Sequence, residues 1–175
     1  FGSIATAINI LTTIVCLRCE GMTLMKMPLL VWLSLVVSGM VLLAIGPLTA
    51  AQIMLLLDRY LGAHFFDTQA GGSAVLWQHF FWIFGHPEVY ILIIPGFAIA
   101  SEIIPVFSRK AIFGYPVMVG ATVAIAFVSF GVWAHHMFIM GISNYASLVF
   151  SLLTMLVAVP SAIKVFNWSA TLAKG

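Results

Sequence analysis

Long runs of apolar residues, separated by short polar stretches, dominate this sequence. Residues 27–57 and residues 111–134 contain no Asp, Glu, Lys or Arg. Three further apolar runs cover residues 1–17, 75–101 and about 145–173. A run of about 20 apolar residues can cross the hydrocarbon core of a bilayer as an α-helix, and none of these runs shows the two-residue alternation typical of strands. The pattern therefore predicts about five membrane-spanning helices, the first of them truncated.

The composition of the chain indicates a lipid environment. Hydrophobic residues make up 63% of the 175 residues, charged residues make up only 7%, and the mean hydropathy is +1.16. A soluble domain carries about 25% charged residues, because its surface must be hydrated. The net charge of +2 comes without a basic run, so we expect membrane lipid as the surroundings and no nucleic acid as a partner. We predict an all-α, polytopic transmembrane helix bundle that forms one membrane domain over residues 1–175.

The charged residues of the loops predict how the bundle is oriented. Five of the six loop cations fall on one side of the predicted membrane, and these are Arg18, Lys26, Arg109, Lys110 and Lys174. The opposite side has only Arg59. The positive-inside rule makes the cation-rich side the cytoplasmic or matrix side.

The two cysteines of the chain, Cys16 and Cys19, lie in a C-x-x-C spacing around the end of the first span. Such a pair can be a redox or metal motif, but we interpret it as two small residues near the inner end of a membrane helix, which fixes no redox compartment. The sequence opens at Phe1 without an initiator methionine or a signal peptide and stops at Lys174-Gly175. We expect both ends to be truncations.

Two ionisable residues, Glu88 and Lys164, lie inside predicted spans. Because an ionisable side chain at mid-membrane costs about 2.5–3.5 kcal/mol on insertion scales, each needs a physical reason. One reason is a buried ion pair that holds helices together, and the other is a proton path. Ser161 and Thr154 precede Lys164 by three and ten residues, and Ser101 lies near the inner end of the third span. A lysine with hydroxyls along one face favours the proton path, although such hydroxyls also commonly bond back along membrane helices.

Three histidines are placed where they could share a metal ion. Tyr90 follows His86 by four residues, so both lie on one helix face, whereas Glu88, two residues from each, points elsewhere. His135 and His136 are adjacent at the outer end of the fourth span. Adjacent side chains diverge by about 100° on an ideal helix, so both reach one ion only where the helix ends and the backbone turns. Three imidazoles with an open position suit copper, zinc or iron; the alternative is an interfacial polar pair beside a histidine that packs between helices.

Three motifs around these residues resemble the signatures of the A-type haem–copper oxidase family. They are Trp82–Leu92, which includes His86-Pro87-Glu88-Val89-Tyr90, then Val132–Phe138, and finally Pro160–Trp168. The motifs occur in the family's order on the expected spans, and the resemblance covers essentially the whole chain. The sequence is therefore similar to an internal fragment of the family's large subunit, corresponding to about helices four to eight of twelve. One departure is Ser161, where many relatives have threonine.

The resemblance implies a role for each candidate residue. His86, His135 and His136 would bind the copper of the oxygen-reducing centre, with Trp82 and Trp133 packed beside it. Tyr90 would be covalently bonded to His86 and would donate an electron and a proton as the O–O bond breaks. Glu88 would pass protons toward the site and the pump. A second proton channel would contain Lys164, Ser161, Thr154 and Ser101.

The resemblance also implies an activity and partners. The complete protein would be a terminal respiratory oxidase that reduces O₂ to water with electrons from cytochrome c and couples this to transmembrane proton pumping. Its partners would be cytochrome c, O₂ and other oxidase subunits, including one that admits electrons. Two haems are expected in the full subunit, with axial ligands outside this fragment, so the fragment would not be active alone. The loops favour a bacterial inner membrane over a mitochondrial one.

Several other functions remain open at this point. Nitric oxide reductases of the same superfamily also surround a metal with three histidines, but they use iron and lack the tyrosine and the lysine, so Tyr90 and Lys164 argue against them. A quinol oxidase would have the same oxygen site. A transporter segment that binds its substrate through Glu88 and Lys164, or a structural membrane scaffold, would not explain three histidines at the outer ends of neighbouring helices.

Overall fold

The computed structural model describes residues 1–174, which fold into helices and short loops and contain no β-strand. The α-helices are α1 (Gly2–Cys16), α2 (Leu29–Leu61), α3 (Ala74–Ser108), α4 (Tyr115–Ser129), α5 (Asn144–Leu156) and α6 (Ala158–Leu172). A 3₁₀ helix, Trp133–Met140, joins α4 to α5, and single 3₁₀ turns, Leu24–Lys26 and Thr68–Ala70, precede α2 and α3. Gly175, the end of the expected C-terminal truncation, lies outside the described residues.

Within residues 1–174, four segments are long and apolar enough to cross a membrane. They are Leu29–Leu61, Ala74–Ser108, Tyr115–Met140 and Asn144–Leu172, and α1 is a shorter apolar helix. The predicted all-α transmembrane bundle is therefore confirmed. Helices α2 and α3 extend beyond the predicted limits of 57 and 101, because charged side chains end an apolar run without ending the helical backbone. Cys16, the last residue of α1, and Cys19 are exposed free thiols.

The core lies where α2, α3 and α4 meet. Its buried side chains are Leu29, Leu33 and Met40 from α2, Ile94 and Ala98 from α3, and Met118, Val119 and Ile125 from α4. Among the described helices, α2 and α3 pack against each other most extensively. Tyr90 packs against this core from α3, so the candidate site is anchored to the best-packed part of the bundle.

Two of the membrane crossings are interrupted, and both interruptions lie near candidate site residues. Helix α4 ends at Ser129, and the chain continues in the tighter 3₁₀ helix Trp133–Met140. The last crossing breaks at Val157, between α5 and α6. Pro160 explains this second break, because a proline inside a helix has no N–H to donate and its ring collides with the carbonyl four residues earlier, here that of Leu156.

Polar side chains fix the inner ends of the helices. A carboxylate oxygen of Glu102, near the end of α3, accepts a hydrogen bond of 3.0 Å from the N–H of Leu30 in the first turn of α2. The first N–H groups of a helix have no intrahelical acceptor, so this carboxylate caps α2. Lys110 donates to the carbonyl of Ala170, 3.3 Å away, and to that of Ala173, at the end of α6. These contacts hold three helix ends in register.

Candidate metal centre

One stripe of α3 carries several of the candidate residues. His86, Tyr90, Phe97 and Ser101 are separated by four, seven and four residues, which are close to one, two and one helical turns and place them on one side. His86 is 5% exposed, and its ring centroid lies 4.8 Å from that of Tyr90. The shared face predicted from the four-residue spacing is therefore present.

The structure brings the three candidate ligands together. One ring nitrogen from each of His86, His135 and His136 lies within 4.8 Å of the other two. The Nδ1 of His86 and the Nε2 of His136 are only 3.3 Å apart. The rings of His135 and His136 have centroids 4.3 Å apart, and both residues belong to the 3₁₀ helix that follows the end of α4. The predicted condition for convergence, a helix that ends at the histidine pair, is met.

A hydroxyl of α5 fixes the ring of His135. The Nδ1 of His135 lies 2.9 Å from the Oγ1 of Thr154, and that hydroxyl donates its one proton to the carbonyl of Phe150, 2.6 Å away. Thr154 therefore accepts from an Nδ1–H of His135, because a threonine hydroxyl has a single hydrogen to donate. This tautomer leaves the Nε2 of His135 unprotonated and able to bind a metal.

Aromatic contacts hold the other histidine and its segment. The rings of Trp82 and His136 stack with centroids 3.8 Å apart and planes inclined by 2°. The indole N–H of Trp133 donates to the Nδ1 of His79 over 3.2 Å, and its ring packs against Phe150 with centroids 5.0 Å apart. The 3₁₀ helix is thus attached to α3 through His79 and to α5 through Phe150. Trp82 therefore lies against a candidate ligand, whereas the side chain of Trp133 contacts His79 and Phe150.

The nitrogens of His86 are consistent with a metal ligand. Its Nδ1 is directed at His136, and its Nε2 is buried without any hydrogen-bond partner among the described residues. Buried polar atoms are rarely left unpaired, so an orphaned nitrogen calls for an explanation such as an ion or a chemical modification. Three imidazoles, two of them held by neighbouring side chains, fit a transition-metal ion such as copper.

Glu88 faces away from the histidines. It lines a cavity of about 280 Å³ together with two other α3 side chains, those of Phe84 and Ile91. The remaining lining residues are Ser3 of α1 and Val41, Ile45 and Leu48 of α2. The expected separation of the face that carries His86 from the face that carries Glu88 is therefore observed. Glu88 also shares its cavity with the hydroxyl of Ser3, which sequence reasoning did not select.

Lys164 is buried on α6, where it is only 1% exposed. Its ammonium group donates to the Oγ1 of Thr122 and, over 3.4 Å, to the carbonyl of Met118, both on α4. The Nζ also lies 5.6 Å from the centroid of the Phe97 ring. Among residues 1–174 the one carboxylate within salt-bridge distance of a basic group is Asp67, beside His64 in the outer loop. The alternative of a Glu88–Lys164 ion pair is thus not supported.

The predicted hydroxyls do not form one line with Lys164. Ser101 is buried in the seam between α3 and α6, where it accepts a hydrogen bond of 3.0 Å from the indole N–H of Trp168. Ser161 donates to the carbonyl of Val157 on its own helix. Thr154 contacts His135 instead. The sequence did not single out Thr122, because one hydroxyl in an apolar helix cannot be distinguished from the many that bond only to their own backbone.

Fold and site together define a polytopic, all-helical membrane protein with a cluster of three histidines that could hold a transition-metal ion. The chain belongs to the cytochrome c and quinol oxidase polypeptide I family, whose model matches residues 1–175.

Curated relatives agree with this assignment. The chain is 51% identical over 175 residues to cytochrome c oxidase subunit 1 of Bacillus sp. (strain PS3), covering 100% of this chain and 28% of the relative. It is 49% identical over 174 residues to cytochrome c oxidase subunit 1 of Bacillus subtilis (strain 168), covering 99% and 28%. It is 53% identical over 175 residues to a probable cytochrome c oxidase subunit 1-alpha of Streptomyces coelicolor, covering 100% and 30%. The chain thus spans less than a third of the length of these relatives.

Proposed function

We propose that this chain is the copper-binding part of a terminal respiratory oxidase, which reduces O₂ to water with electrons from cytochrome c and pumps protons. The convergence of His86, His135 and His136 carries the proposal, since their ligand nitrogens lie within 4.8 Å of one another. Copper held there, together with haem whose axial ligands lie elsewhere in the full subunit, would supply the electron transfer to O₂. The family model matches residues 1–175, and this match supports the same activity.

The residues around the centre would have separate roles in O₂ reduction and in holding the ligands. Tyr90, whose ring lies 4.8 Å from that of His86, would give up a proton and an electron during O₂ reduction. The orphaned Nε2 of His86 is consistent with a covalent bond to Tyr90. Trp82 and Trp133 would keep the imidazoles in place.

Protons would reach the centre by two routes. Glu88 would pass them from the cavity between α1, α2 and α3. Lys164 would pass them along the seam of α3, α4 and α6, with Ser101 on its inner side, Ser161 on the preceding turn, and Thr154 further along the crossing, beside His135. Lys164 faces Phe97, which lies seven residues beyond Tyr90 on the same stripe of α3, about 10 Å along the helix. An ammonium group at that level is suited to passing protons toward Tyr90.

The cellular setting follows from the relatives. We infer a bacterial inner membrane, because the matched relatives named above are bacterial. The partners would be cytochrome c, O₂ and further oxidase subunits, one of which admits electrons. A quinol would be the alternative donor, because the family description covers both cytochrome c and quinol oxidases.

Oxygen consumption by the complete enzyme tests the proposal. Reduced cytochrome c and reduced quinol are supplied separately to the wild type and to the variant His86→Asn. We expect uptake of O₂ with cytochrome c in the wild type and none in the variant. Uptake with quinol alone would reassign the electron donor. Undiminished uptake in His86→Asn would remove the histidine cluster from the reaction.

A further inference from the structure

The buried ammonium group of Lys164 has one side-chain oxygen as its hydrogen-bond partner, and that oxygen belongs to Thr122. Both residues are 1% exposed. The other acceptor, the main-chain carbonyl of Met118, is more distant at 3.4 Å. Since no Asp or Glu among residues 1–174 pairs with Lys164, the environment of this cation is set by α4 and by the face of Phe97.

The direction of the hydrogen bond follows from counting protons. The hydroxyl of Thr122 donates its single hydrogen to the carbonyl of Met118, 2.9 Å away. Its lone pairs therefore remain for Lys164, which must be the donor. The carbonyl of Met118 accepts from both groups, but it belongs to the main chain and no side-chain substitution removes it. Of the two oxygens that accept from Lys164, only the hydroxyl of Thr122 can therefore be removed by a substitution.

We propose that Thr122 is a positioning residue for Lys164: its hydroxyl oxygen holds the ammonium group against α4 at the level of Phe97. A lysine head group sits on a flexible four-carbon stem and has no preferred location of its own. An unpaired buried charge is strongly disfavoured, so a single fixed acceptor decides where the charge resides. The proposal rests on the proposed proton-carrying role of Lys164 and adds the residue that places it.

Most hydroxyls in these helices have a plainer role. Ser34 and Thr49, for example, donate to carbonyls four residues earlier, at 2.7 Å and 2.8 Å, and receive no hydrogen bond from another described helix. Thr122 makes the same backbone bond but also receives a charged donor from a different helix. That second bond is what separates a positioning residue from a hydroxyl satisfied within its own turn.

The test uses the complete oxidase and measures how fast added dithionite reduces the oxygen-reducing centre, the step assigned to Lys164. We expect Thr122→Val, which keeps the shape but removes the acceptor, to slow this reduction by about 10-fold or more. Thr122→Ser, which restores the hydroxyl, should return the rate to near the wild-type value. Ser129→Ala is the matched control, because Ser129 is a buried hydroxyl on α4 that bonds only to the carbonyl of Ala126.

Copper and haem contents equal to those of the wild type establish that each variant is assembled. If Thr122→Val does not assemble, Thr122→Ala is used in its place. Lys164→Met provides the reference. If reduction of the centre is slow in Lys164→Met but normal in Thr122→Val, the positioning role is overturned and the proposed function stands. Equal slowing in Thr122→Val and Thr122→Ser also overturns it. A normal rate in Lys164→Met removes the lysine route itself, and the role of Thr122 falls with it.

Discussion

The Nδ1 of His135 lies 2.9 Å from the hydroxyl oxygen of Thr154, so a residue of α5 orients a histidine of the preceding 3₁₀ helix. Because Thr154 donates its own proton to Phe150, its oxygen can only accept from His135. The contact therefore selects the His135 tautomer whose Nε2 is free for a metal. Thr154 therefore orients a candidate metal ligand directly, apart from any part in proton transfer.

Substitution of Thr154 by Val should weaken metal binding while leaving the fold intact. Loss of a partner that orients a ligand typically lowers metal affinity by about 10–100-fold. Copper titration of the metal-depleted complete enzyme measures this directly. Thr154→Ser, which keeps the hydroxyl, should bind copper as the wild type does. Equal affinity in Thr154→Val and the wild type would mean that the hydroxyl does not orient the ligand.

Substitution of His135 by Ala should abolish O₂ reduction through loss of copper. Two imidazoles cannot replace a set of three, and the cavity left by the ring would admit water in place of the ligand. Elemental analysis of the purified complete enzyme gives the copper content. His64→Ala is the control, since His64 lies in the outer loop beside Asp67 and away from the cluster. Full copper occupancy in His135→Ala would contradict the assignment of this ligand.

Substitution of Glu88 by Gln should block proton delivery without disturbing the metal centre. The amide has nearly the same shape but cannot bind and release protons near neutral pH, and it faces a cavity on the side of α3 away from His86. Absorption spectra of the complete enzyme should match the wild type, while turnover and proton pumping fall by at least about 10-fold. Glu20→Gln, at an exposed loop carboxylate, should behave as the wild type. Unchanged pumping in Glu88→Gln would end the proton role.

Substitution of Lys164 by Met should slow reduction of the oxygen-reducing centre without lowering stability. The ammonium group is buried without a carboxylate partner, so replacing it by an apolar side chain of similar length removes a desolvation cost. Thermal unfolding and dithionite reduction of the same preparation therefore separate the two roles. A lysine that merely packed would give a variant with altered unfolding and normal reduction, which is the opposite of the expected result.

The parts of the site that follow from local geometry could be predicted from the sequence. The four-residue spacing of His86 and Tyr90 fixes a common helix face, and the position of His135 and His136 at the end of an apolar run predicts a turn that brings both to one side. Glu88 points away from His86 for the same reason. These relationships depend only on the helical repeat and on where a helix stops.

The partners of the hydroxyls could not be predicted in the same way. Thr154 precedes Lys164 by ten residues, and ten steps of 100° leave the two side chains about 80° apart around a continuous helix. The interruption at Val157 alters their relation further. The pairing of Lys164 with Thr122 joins residues 42 positions apart. Only the packing of α4 against α6 brings the two residues together, and this packing cannot be predicted from the spacing of residues within one helix.

The interruption at Val157 has a mechanical consequence. A rigid rod crossing the membrane has one rotational setting, so improving the fit of one side chain would spoil the fit of another at a different depth. Here the crossing is divided at Val157 into two halves, and Pro160, close after the division, has no N–H to donate to the preceding turn. The half before Val157 places Thr154 against His135, and the half after it places Lys164 against Thr122. Straightening this crossing would therefore force the two tasks to compete for a single angle.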